Sequence, residues 1–109
     1  MLQQVEMASE KIRGAGLGGG LIMSESPAIP VIAIVDDDKS VRESLAGFVE
    51  SVGYEVALFS SGEEFLRSAP QRDDLRCLIL DVRMPGMSGF ELYTRLTVSH
   101  RSIPTIFIT

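Results

Sequence analysis

Two groups of aspartates in this 109-residue chain stand where chemistry could be done. Asp81 ends an apolar run, Cys77 to Leu80, and a turn signal, Pro85-Gly86, follows closely. Asp36, Asp37 and Asp38 end a second apolar run, Val31 to Val35. A continuous apolar run reads as a strand buried on both faces of a parallel sheet. Such strands deliver their last residues to the carboxyl edge of the sheet, where open α/β folds place their ligands. If both strands belong to one sheet, the acids meet at that edge. Carboxylates held close repel one another and raise each other's pKa unless a cation joins them. A hard divalent ion with oxygen ligands, Mg²⁺ above all, is the natural partner. Simpler readings stand beside this one. Asp81 can be a solvated strand-end residue, and Asp38 or Ser40 can cap the next helix, Ser40 with Glu43 fitting a capping box. Capping accounts for one of the acids and leaves the others, with Asp81, unexplained.

The elements that would position these acids can be read from the same chain. After the acid cluster, Val41, Leu45, Phe48, Val49 and Val52 recur at helical spacing, and Gly53 suits a C-terminal cap, so a first helix is predicted over about 40–52. Residues 54–59 read as a short strand. Ser60 and Ser61 with Glu63 and Glu64 start a second helix, with Phe65, Leu66 and Ala69 as its apolar face and Pro70 as its end. A polar loop over 71–74 leads to the strand that ends at Asp81. Beyond the loop 83–88, Ser88 caps a third helix over about 89–99, with Phe90, Leu92, Tyr93 and Leu96 as candidate core residues. Residues 105–109 form a fourth strand. The order β-α-β-α-β-α-β implies right-handed crossovers and a parallel sheet.

Composition narrows the partners. A formal net charge of -5 and the absence of a basic cluster argue against a nucleic-acid surface on this chain. No apolar run is long enough to cross a membrane. The lone Cys77 can form no internal disulfide and reads as a core residue, which is compatible with a reducing cytoplasm. Residues 1–30 read as an N-terminal extension containing a flexible glycine run, 14–20, and 31–109 as the folded unit. Met1 to Arg13 can form a short helix that nothing obliges to dock. Met23, followed by small polar residues and then the first strand, has the look of an alternative translation start. His100, the single histidine, lies in a polar loop and reads as a surface residue.

The chain resembles the response-regulator receiver domains of two-component signalling. The match rests on the acid pair Asp36-Asp37 after the first strand, on Asp81-x-x-Met84-Pro85-x-x-x-Gly89 after the third, and on the hydroxyl residue Thr109 at the end of the fourth. It covers residues 31–109, and the run Val35 to Arg42 looks most like regulators of the NarL/FixJ or LuxR type. The resemblance implies a flavodoxin-like (CheY-like) doubly wound parallel sheet in three α/β/α layers, of which the C-terminal third is not present. That third would hold a fifth strand, the family's lysine and switch aromatic, and a dimerisation face. It also implies that Asp81 accepts a phosphoryl group from a sensor histidine kinase, with Thr109 donating its hydroxyl to that group. Mg²⁺ would be held by Asp36, Asp37, Asp81 and the backbone carbonyl of Arg83, with Asp38 a third acid ligand or a helix cap. The module would be no enzyme in its own right, would act in the cytoplasm, and would regulate transcription through an output domain not contained here; the dimerisation face implies a homodimer of the full protein.

Other readings remain open at the level of sequence. Asp36-x-Asp38-x-Ser40 loosely resembles the motif of haloacid-dehalogenase-like phosphatases, with Asp36 as nucleophile and Asp38 as acid/base, but that reading leaves Asp81-x-x-Met84-Pro85 unexplained. A non-phosphorylated interaction module that keeps the fold is a third reading. Thr109 can also be an ordinary strand threonine, favoured by its β-branch.

Overall fold

The structure, a computed structural model, describes residues 29–68, 72–99 and 102–109. The predicted alternation is present: β1 (Val31–Val35), α1 (Lys39–Ser51), β2 (Glu55–Phe59), α2 (Gly62–Ser68), β3 (Leu75–Asp81), α3 (Gly89–Val98) and β4 (Thr105–Ile108). All the strand pairings are parallel, and the strand order is β2-β1-β3-β4. Strand β1 is buried along its whole length, which explains its unbroken apolar run.

Strand alternation sorts the core into two halves. Ile32, Ile34 and Ile79 face Leu45, Ala46 and Val49 of α1. Val31, Ala33, Val35, Leu78 and Leu80 face the other way, towards Phe65 of α2 and Leu92 and Leu96 of α3. The sheet is therefore the middle of three layers. Burying each of these large aliphatic side chains contributes roughly 1.5–3 kcal/mol. Leu75 and Cys77, two apart in sequence, point to opposite halves of the core. The pairing with β1 shifts register there, so exposed Arg76 is the extra residue of a bulge.

The helix boundaries have local causes. Asp38 Oδ1 accepts from the amides of Ser40 and Val41, so Asp38, not Ser40, caps α1. The helix closes at Val52, and Gly53 takes a φ of 100°, which favours glycine. Ser61 Oγ accepts from the Glu64 amide at 3.0 Å while Glu64 accepts from the Ser60 amide at 2.6 Å, which sets the start of α2. Ser88 and Glu91 form a reciprocal capping box at α3.

Several expectations need correction. Val52 is 42% exposed, because it stands at the cap beyond the buried face of α1. Phe90 and Tyr93 are 56% and 39% exposed. They lie on the rim of the α3 stripe and meet half-buried Phe107, with ring centroids 5.0 and 5.3 Å away, rather than entering the core. Tyr54 is buried but precedes β2, and Thr109 lies one residue past β4. Ala69, Pro70, Gln71, His100 and the extension through residue 28 lie outside the described residues.

Candidate functional site

Parallel register is what gathers the acids. Val35 is level with Leu80 across β1 and β3, and Asp81 is level with Ile108 across β3 and β4. The residues that follow these strand ends, Asp36 and Thr109, therefore emerge at the same edge as Asp81. That edge lies between β1 and β3, where the chain leaves one strand towards β2 and the other towards β4. A doubly wound sheet opens its ligand crevice at such a switch point.

An open cleft of about 300 Å³ occupies this position, lined by Asp36, Asp37, Asp38, Val41, Asp81, Arg83, Ile108 and Thr109. One carboxylate oxygen from each of Asp36, Asp37 and Asp81 lies within 4.8 Å of the others. Asp37 is exposed and Asp81 half-buried, whereas Asp36 is 3% exposed and is the one buried charged side chain among the described residues. Burial pushes the Asp36 carboxyl up to about 6, opposed by the hydrogen bond from the Asp38 amide and reinforced by Asp81 and Asp37 beside it. A buried acid with like charges at its side describes a site short of positive charge.

The backbone holds the cluster. The Asp38 amide donates to Asp36 Oδ1 at 2.9 Å, and the Arg83 amide donates to Asp81 Oδ1 at 3.0 Å. The Val82 amide donates to the Ile108 carbonyl at 3.0 Å, so the strand ends stay joined just beyond Asp81. Two contacts that steady the site could not be read from the sequence, although Gly89 stands in the motif around Asp81. Arg42 Nη1 donates to the Asp36 carbonyl at 2.8 Å, and Gly89 packs on the backbone of Asp81 and Val82. Asp38 lines the cleft, yet it is not among the acids whose oxygens converge. Its Oδ1 is engaged in the cap.

The family model for the response regulator receiver domain matches residues 32–109. The chain belongs to the response-regulator receiver family. It is 43% identical over 86 residues to nodulation protein W of Bradyrhizobium diazoefficiens, covering 79% of this chain and 37% of that protein. It is 48% identical to the response regulator protein TmoT of Ectopseudomonas mendocina, covering 72% and 36% respectively. Among solved structures it resembles the response regulator StyR, with 47% identity, a TM-score of 0.69, and 75% and 41% of the two chains covered. It also resembles FixJ-N, with 40% identity, a TM-score of 0.70, and 76% and 66% covered. The chain thus spans little more than a third of the length of these curated relatives. The receiver assignment gives the phosphatase reading no support. No helix among the described residues is long and apolar enough to cross a membrane.

Proposed function

We propose that this receiver is the phosphoacceptor of a two-component relay, taking a phosphoryl group onto Asp81 from the phosphohistidine of a sensor histidine kinase in the cytoplasm. An Asp81 carboxylate oxygen forms the new P–O bond while the P–N bond breaks, and the leaving imidazole keeps that bond's electron pair. The observation that carries the reading is the place of Asp81: at the end of β3, half-buried, with Asp36 and Asp37 converging on it inside an open cleft. The Arg83 amide on Oδ1 limits rotation of the carboxylate and so helps to hold its attacking direction.

Asp36, Asp37 and Asp81, with the backbone carbonyl of Arg83, are the residues that would hold Mg²⁺. The donor set fits a hard cation, since the converging groups are carboxylates and the buried Asp36 carboxyl has like charges, Asp81 and Asp37, beside it. When bound, Mg²⁺ neutralises and orients the oxygens of the transferring phosphoryl group. Thr109 lines the same cleft and would donate its hydroxyl to a phosphoryl oxygen. The chain acts as an acceptor and switch, not as an enzyme with a separate substrate. Control of transcription through a further domain is supported by the 36% identity to the transcriptional regulatory protein FixJ of Bradyrhizobium diazoefficiens.

The test is labelling by acetyl phosphate with Mg²⁺. Asp81→Asn is expected to abolish incorporation, because an amide is a poor nucleophile. Incorporation that survives in Asp81→Asn but disappears in Asp36→Asn would overturn the receiver chemistry and favour the phosphatase reading.

A further inference from the structure

The first turn of α1 reaches back to the end of β1 through one side chain. The Arg42 amide closes a helical hydrogen bond on the Asp38 carbonyl at 2.9 Å, while its guanidinium donates to the Asp36 carbonyl at 2.8 Å. The rest of Asp36 is also engaged: its amide donates to the Phe59 carbonyl at 3.2 Å, and its Oδ1 accepts from the Asp38 amide. Arg42 thus supplies the hydrogen bond that fixes the carbonyl side of the Asp36–Asp37 peptide. Asp37 itself is exposed, so packing does not aim its side chain; the peptide that carries it does.

We infer that Arg42 is a positioning residue for the acid site, holding the Asp36–Asp37 peptide so that the Asp37 carboxylate faces the cleft beside Asp36 and Asp81. This rests on the reading of the cleft as an Mg²⁺-dependent phosphoacceptor site. The action is geometric. The guanidinium donates to the backbone carbonyl of Asp36, not to a carboxylate oxygen, so its contact is with the peptide that carries Asp37. Hydrogen bonds from a cation to a carbonyl are short and strong, and partners that orient ligands tune metal affinity although they never touch the metal.

The experiment uses the full chain with Arg42→Met, which keeps bulk but no donor, and Arg42→Lys, which keeps a charged donor. Mg²⁺ affinity is measured by titration calorimetry. The Asp37 amide, which shares a peptide with the Asp36 carbonyl, is followed by NMR without metal. Arg42→Met is expected to bind Mg²⁺ about tenfold more weakly and to shift the Asp37 amide signal, with Arg42→Lys recovering most of both. Affinity within about twofold of wild type in Arg42→Met overturns the inference. So does a loss of affinity that follows a lowered Tm and is not recovered by Arg42→Lys, which would make the role merely structural. Should Arg42→Met fail to fold, Arg42→Lys is compared with Arg42→Gln on the same two readouts, and equal affinity and Asp37 signals to wild type in both overturn it. A wild-type chain that takes up no Mg²⁺ overturns the parent reading, and the metal-free Asp37 amide then decides the positioning alone.

Discussion

Gly89 rests against the backbone carbonyl of Asp81 so closely that a Cβ at residue 89 would overlap that oxygen. The Gly89 amide also donates to the Val82 carbonyl at 3.1 Å, so α3 begins directly on the end of β3. The atoms in the way are backbone and cannot swing aside as a side-chain tip would. Gly89→Ala is therefore expected to cost about 2–3 kcal/mol, the upper part of the range for overpacking. It should also lower acetyl-phosphate labelling by moving Asp81. Denaturant unfolding and labelling of the same variant check both; wild-type values in each would show that the contact relaxes freely.

The raised pKa of Asp36 sets a pH dependence for the metal-free domain. Its folded value of about 6 lies above the ordinary 3.8, so between these values the folded state holds more protons than the unfolded state. The stabilising contribution is full below the ordinary value and is lost as pH rises through about 6. Ionised Asp36 then burdens the fold at neutral pH. In EDTA, Asp36→Asn should raise stability at neutral pH by roughly 1–3 kcal/mol and give no gain near pH 4. Millimolar Mg²⁺ should raise the Tm of wild type at neutral pH and much less at pH 5, since a cation favours the ionised form. A neutral-pH Asp36→Asn protein less stable than wild type in EDTA would remove the basis for this account.

Much of this was legible because strand ends and caps are local. The runs before Asp36 and Asp81 announced buried parallel strands, and parallel register then brought their ends together without further information. What stayed hidden depends on distances that the sequence does not carry. The stripe containing Phe90, Leu92, Tyr93 and Leu96 marked α3 as amphipathic, but period alone does not separate the centre of a stripe, Leu92 and Leu96, from its rim. Val52 failed for the same reason, at the end of α1 rather than at its edge. Gly89 was visible as part of a motif, while its physical cause is a backbone contact with a residue eight positions earlier. Arg42 reads as a polar position on a helix; only the fold turns its guanidinium back onto the Asp36 carbonyl.

Asp38 separates the two uses of an acid in this loop. Its Oδ1 accepts from the amides of Ser40 at 2.9 Å and Val41 at 3.2 Å, and its oxygens are not part of the convergent set made by Asp36, Asp37 and Asp81. A capping role and a ligand role make opposite predictions. Asp38→Ala should cost about 1 kcal/mol of stability, as loss of an N-cap does, and Asp38→Ser should restore most of it because a serine hydroxyl caps as well. Mg²⁺ affinity should change little in either variant, whereas Asp37→Ala should weaken it strongly by removing a charged oxygen ligand. The decisive comparison is Asp38→Ser against Asp37→Ala by calorimetry with Mg²⁺, because the serine variant keeps the helix start and removes only the charge. Equal losses in the two variants would make Asp38 a ligand and require the β1–α1 loop to rearrange around the cation.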